Sequence, residues 1–307
     1  MAGSSKRAIY GAIIANSAIA ICKFVASAFT GSSAMMSEGI HSLVDTGNGV
    51  LLLVGIRRSK KPATNKHPFG YGNEIYFWSF IVAMLIFALG GGIALYEGIV
   101  HILHPKELGD LTWNYVVLVL AMIFEGAALR VALKEFNRTR GDQGFIEAIV
   151  SSKDSSTIAV VIEDTAALLG LMIAFICLLL AQVTGILYFD GIGSVLIGVL
   201  LVSVSFFFAV ECKSLLIGEG LRPKNVAKIE HILSNHTNVL NFKRPLSLYF
   251  GPNEVLVNLD INFKDDLVSD DLEKTVDEIE KSIKEALPQV NRIFIEAERM
   301  ARKRKTA

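Results

Sequence analysis

The sequence predicts a polytopic α-helical membrane protein with a small C-terminal α+β domain, on three observations. The chain is 52% hydrophobic over 307 residues, with a mean hydropathy of +0.47, more apolar than soluble domains tolerate. Six apolar runs are each long enough to cross a bilayer, which takes about 20 residues at about 1.5 Å of rise per residue. Beyond Arg222 the pattern changes to short, amphipathic segments. Lys plus Arg and Asp plus Glu number 30 each, so no basic field offers itself to nucleic acid, and none is expected as a partner.

The predicted spans are 8–30, 32–56, 75–103, 112–136, 156–182 and 187–210. The short turn at Gly31 joins the first two. The first span follows Met1–Arg7 directly with no small-residue cleavage site, so no removable signal peptide is expected. Lys6 and Arg7 precede span one; Arg57, Arg58, Lys60, Lys61 and Lys66 follow span two; Lys134, Arg138 and Arg140 follow span four; Lys213 follows span six. The opposite loops carry Lys106 alone, so the positive-inside rule places both termini in the cytoplasm, at the inner membrane if the source is bacterial. Cys22, Cys177 and Cys212 form no C-x-x-C pair and read as three packed thiols.

The boundary at 215/216 separates the membrane domain, 1–215, from the C-terminal domain, 216–307. Val226, Ile229 and Ile232 recur at helical spacing. "PLSLYF" and "VLVNLDINF" flank the turn signal Gly251-Pro252-Asn253, and Val257, Leu259, Ile261 and Phe263 alternate with polar residues as in a half-buried strand. Leu272, Val276, Ile279, Ile283 and Leu287 mark an amphipathic helix stopped by Pro288, and "VNRIFIE" reads as a last strand. The order αββαβ is a two-layer α+β domain. The basic tail "RMARKRKTA" reads as a solvated end.

Ionisable residues inside spans are costly and need partners or a watery cavity. Glu38, His41 and Asp45 are spaced three and four apart, so they line one face of span two. Glu125 sits near the middle of span four, and Glu163 with Asp164 in span five. A cation accounts for so many acids: one imidazole with carboxylates suits zinc, and also iron, cobalt or manganese. Buried hydrogen-bonding partners that pin helices together are the plainer alternative. Lys23 and Glu38 fall at one depth of the hairpin of spans one and two, and read as an ion pair rather than a ligand. Gly90, Ala94 and Gly98 form a small-xxx-small stripe for close helix packing, within the chain or between chains.

"GSSAMMSEGIHSLVDTGN", "HPFGYGNEIYFWS", "EDTAALLG", "FDGIGSVLIG" and "LLIGEGLRP" occur in the order seen in cation diffusion facilitators, and the resemblance covers nearly the whole chain. "EDTAALLG" and "FEGAALR" look most like the branch that holds animal zinc transporter nine and its bacterial relatives. The resemblance implies a homodimeric proton-coupled antiporter of divalent metal, mostly zinc, with six spans and a cytoplasmic metallochaperone-like domain. It implies a transport site of two residues four apart in span two, matched by His41 and Asp45, and two four apart in span five. Asp164 matches the second of these; the first falls on Val160, which cannot bind a metal. That departure opens three alternatives: a different metal, a compensating ligand, or a non-transporting scaffold with a degenerate site. Glu125 is the expected compensating ligand or proton carrier, with Glu163 as its competitor. The expected ligand set is therefore His41, Asp45, Asp164, Glu125 and Glu163, with the metal as transported substrate and no organic cofactor. Loop residue His67 stands without a second His, since Tyr71 is there, and reads as loop-shaping. In the C-terminal domain, the positions that bind metal in some relatives are Asn258, Glu296 and Glu298, so no binuclear site is expected; His231 and His236 read as surface residues. No G-x-x-x-x-G-K-[ST] loop and no H-E-x-x-H motif occurs, so neither an ATPase nor an intramembrane metalloenzyme is expected.

Overall fold

The computed structural model describes residues 2–105, 111–140, 144–145, 148–149 and 153–298; Lys106 and the basic tail past Glu298 lie outside them. The chain divides into two compact units. One runs through Arg58 and resumes over Glu74–Lys213; the other combines Ser59–Asn73 with the chain from Ser214 onward.

The first unit is helical: α1 (Ala2–Thr30), α2 (Ser33–Ser59), α3 (Glu74–Leu103), α4 (Thr112–Arg140), α5 (Ser155–Thr184) and α6 (Tyr188–Ile217). Five of these, α2 to α6, are long and apolar enough to cross a membrane, and α1 adds the shorter apolar stretch Asn16–Thr30. Gly31, at a φ of 72°, makes the turn between α1 and α2, a left-handed conformation that side chains resist. Ser32 caps α2 by accepting the Met35 N–H at 3.2 Å. The Asp154 carboxylate caps α5 by accepting from the Ser156 and Thr157 N–H groups, and Gly185, at a φ of 70°, ends it. Cys177 and Cys212 are buried, but Cys22 is exposed, against the expectation of three packed thiols; it sits where α1 turns a face outward.

Residues Ile86–Gly92 of α3 form a π-helical segment ending in three glycines, a local widening that periodicity does not reveal. The stripe Gly90, Ala94 and Gly98 is used inside the chain. A Cβ on Gly98 would lie 2.8 Å from the Gly191 carbonyl oxygen, and one on Gly198 would lie 2.8 Å from the Leu95 N, so α3 and α6 touch backbone to backbone.

In the second unit, α7 (Pro223–Asn235) is followed by β1 (Val239–Phe242), β2 (Leu246–Gly251), β3 (Glu254–Phe263), α8 (Ser269–Ala286) and β4 (Val290–Ala297). The register pairs Leu248 with Leu256 and Phe242 with Ile261, so β2 and β1 run end to end along one edge of β3, antiparallel to it. β4 lies parallel on the other edge. Strand β1 adds to the two-helix, three-strand order read from the sequence; it is four residues of "VLNF", broken from β2 before Pro245, too short to declare itself. Val255, Val257, Leu259, Ile261 and Phe263 point to one side and form the core with Ile229, Leu233, Ile279 and Ile283 from the helices. The segment 59–73 packs on the sheet. Phe69 stacks on Phe250 with centroids 5.1 Å apart, and the Arg292 guanidinium lies 5.0 Å over the Phe69 ring.

Candidate functional site

Helix α2 presents His41, Asp45 and Asn48 along one face, because positions i, i+4 and i+7 superpose on a helix of about 3.6 residues per turn. His41 Nδ1 lies 3.4 Å from Asp45 Oδ1. Both ring nitrogens of His41, Oδ1 of Asp45 and Oδ1 of Asn48 are buried without a hydrogen-bond partner among the protein atoms. Unpaired buried polar groups cost on the order of 1–3 kcal/mol each, so a face with several of them is built for something other than packing.

Helix α5 meets α2 at Glu163, against Asn48, and at Gly170, against Glu38; both are buried. Asn48 Nδ2 donates to Glu163 Oε1 at 3.1 Å, the direct side-chain link between α2 and α5 at this level. Asp164 is half-buried and Val160 is 40% exposed. The rotation of α5 therefore turns Glu163 toward α2 and the 160/164 stripe partly away from it. Glu125, buried on α4, is within electrostatic reach of Asp164, and the charges of Glu163, Glu125 and Asp164 all act on Asp45. The structure thus joins His41 to Asp45 directly and brings Glu163 to the same face through Asn48. Glu125 and Asp164 have no hydrogen bond to this face among the described residues and act on Asp45 through their charge. Among the described residues, no three His, Cys, Asp or Glu side chains converge closely enough to hold an ion by themselves. The sequence reading passed over Asn48; its place three residues beyond Asp45 was the available signal.

Lys23 and Glu38 form the expected ion pair, at 3.0 Å, with both side chains fully buried. Lys23 Nζ also donates to Ser42 Oγ at 2.8 Å. Glu38 fits against α5 because Gly170 is there: a Cβ on it would lie 2.5 Å from Glu38 Oε1. At the N-terminus of α2, the Asp190 carboxylate of α6 accepts from the Ser33 N–H at 2.7 Å and from the hydroxyls of Ser32 and Ser33 at 2.5 and 2.7 Å. His101 Nδ1 of α3 lies 3.4 Å from it. Asp190, invisible as a site residue in the sequence reading, anchors the helix that carries His41 and Asp45.

The other residues considered are placed elsewhere. The backbone of His67 pairs with that of Thr64 and its ring tilts over Tyr71, a loop-shaping role. His231 lies beside Asn235, and His236 Nε2 lies 3.2 Å from the Glu278 carboxylate. The Lys243 ammonium pairs with Asp260 at 3.2 Å and with Glu298. Those two carboxylates hold the Lys243 pKa above its ordinary value, Glu298 contributing most. A lysine thus already serves Asp260, which Asn258 approaches to 3.5 Å, and Glu298.

Residues 9–217 match the family profile described as "Cation efflux transmembrane domain". The chain is 35% identical over 254 residues to the human "Proton-coupled zinc antiporter SLC30A9, mitochondrial", covering 82% of this chain and 45% of the relative. It is 30% identical over 266 residues to "Metal tolerance protein C4" of Arabidopsis thaliana, covering 86% of this chain and 58% of the relative. An uncharacterized transporter of Methanocaldococcus jannaschii is 23% identical over 288 residues, with 92% and 94% covered. The chain therefore spans less than half the length of the human relative it matches and under two thirds of the plant one.

Proposed function

This chain belongs to the cation efflux family, and from that membership we propose that it exchanges a divalent metal ion, zinc foremost, for protons across a membrane. The carrying observation is the His41–Asp45 pair: an imidazole and a carboxylate 3.4 Å apart within an apolar helix, with both imidazole nitrogens unpartnered. Imidazole and carboxylate bind either a metal or protons, so one set of atoms serves both cargoes and loading metal displaces protons. Glu163 supplies the carboxylate from α5. The donors then lie on two helices that can shift against each other, as a site open to either side in turn requires. One nitrogen and the rest oxygen suits zinc, and the human relative named as a zinc antiporter supports that choice. The Lys and Arg asymmetry supports cytoplasmic termini, and export from the cytoplasm is the direction proposed. The working unit is a homodimer, as the family resemblance implies; because Gly98 is taken up against α6, the two copies meet through another surface.

The test is transport into proteoliposomes under an imposed pH gradient, with zinc, manganese, iron and cobalt in turn. Zinc accumulation that collapses with the gradient is the expected result. Gradient-independent flux, or no flux of any of the four, refutes it.

A further inference from the structure

Asn48 carries an inference beyond the ligands already proposed, and it rests on that functional reading. Its side chain is fully buried in the middle of α2. One end of the amide is used: Nδ2 donates to Glu163 Oε1 at 3.1 Å. The other end is not, since Oδ1 has no partner although it is buried. An amide carbonyl oxygen is a good neutral donor to a hard or borderline cation, and a buried one without a hydrogen bond is expensive to keep. His41 and Asp45, seven and three residues before it, lie on the same face and also hold unpartnered donor atoms.

We infer that Asn48 is a ligand of the transported ion through Oδ1 and, through Nδ2, the group that aims Glu163 at the same ion. A hydrogen bond from Nδ2 to Glu163 Oε1 fixes the carboxylate plane and leaves Oε2 as its free donor. One residue thus couples α2 to α5 at the ion, and it fills the donor count that Val160 leaves short. The set becomes one nitrogen and three oxygens, two of them charged.

The experiment is calorimetric titration of the detergent-purified full chain with zinc and with cadmium, on wild type, Asn48→Leu and Asn48→Cys. Leucine keeps the volume and removes both amide atoms; it should raise the zinc Kd at least tenfold, in the range seen when supporting groups of metal sites are removed. Cysteine places a soft thiolate at the ligating position. It should raise the cadmium-over-zinc preference at least tenfold and add an ultraviolet cadmium–thiolate charge-transfer band absent from wild type, which already contains Cys22, Cys177 and Cys212. A residue that only orients Glu163 would produce no such band. Its absence in a folded Asn48→Cys protein overturns ligation by Asn48, whatever Asn48→Leu does, and so does an unchanged zinc Kd in Asn48→Leu. A wild type that binds no zinc refutes the functional reading and this inference together; a wild type that binds zinc with indifferent Asn48 variants refutes this inference alone.

Discussion

Glu163 and Asp164 are neighbours with different surroundings. On a helix they point about 100° apart, so only one can look straight at α2. Asn48 is bonded to Glu163, while Asp164 feels Glu125 on α4. Glu163→Gln keeps an acceptor for Asn48 and removes the charge. It is expected to lower proton-driven zinc flux at least a hundredfold, whereas Glu125→Gln costs under tenfold. Flux in proteoliposomes, with an internal pH dye to count protons, checks both; the reverse order would return Glu125 to the role the sequence suggested. At this scale His41 and Asp45 were legible because i, i+4 spacing survives any rotation of the helix. The preference proposed for Glu163 over Asp164 was not, because it depends on which way α5 is turned. That rotation had its own signal: Gly170, seven residues beyond Glu163 on the same stripe, is the small residue that lets Glu38 of α2 come close. Lys23 and Glu38 were legible from depth alone, since an antiparallel hairpin brings equal depths together.

Among the elements, the contact of α3 with α6 is the one most dependent on missing side chains. Gly91 and Gly98 on α3 meet Gly198 and Gly191 on α6, and at Gly98 and Gly198 a Cβ would fall within 3.0 Å of backbone atoms of the other helix. Without water-driven association between spans, such backbone proximity is what dispersion needs. Gly98→Leu must push the Gly191 carbonyl away, an overpacking that costs on the order of 1–3 kcal/mol. A melting temperature lower by several degrees in a detergent unfolding assay is expected, with a much smaller change for Gly126→Leu, whose added Cβ meets nothing within 4 Å. Equal effects at the two positions would show that α3 and α6 do not pack this way. The spans were legible because about 20 apolar residues leave few alternatives. Two features were not. The π-helical segment at Ile86–Gly92 is a backbone event with no periodicity of its own. Strand β1 is only four residues long, and it exists because the second half of β3 offers it an edge.

For the whole molecule, two independent lines support the membrane topology expected from the sequence. The first is the Lys and Arg bias of the loops. The second is packing within the unit formed by Ser59–Asn73 and the chain beyond Ser214. Phe69 stacks on Phe250, Arg292 Nη1 donates to the Pro68 carbonyl oxygen at 3.4 Å, and a Cβ on Gly72 would collide with the Phe250 carbonyl. A segment between the second and third spans that is part of the same compact body as the C-terminal sheet must lie on the same side of the membrane as that sheet. With two spans before this segment and four after it, as the sequence predicts, both termini are expected on that side, the one rich in Lys and Arg. Single cysteines replacing Lys60, Lys274 and Thr184 test this, since all three positions are exposed. In sealed, oriented vesicles with Cys22, Cys177 and Cys212 replaced by serine, an impermeant maleimide should treat Lys60→Cys and Lys274→Cys alike and Thr184→Cys oppositely. Labelling of Thr184→Cys from the same side as Lys60→Cys would mean an even number of crossings between them instead of three, and so the loss of one span. Opposite labelling of Lys60→Cys and Lys274→Cys would mean that the aromatic packing of Phe69 on the sheet does not occur in the membrane.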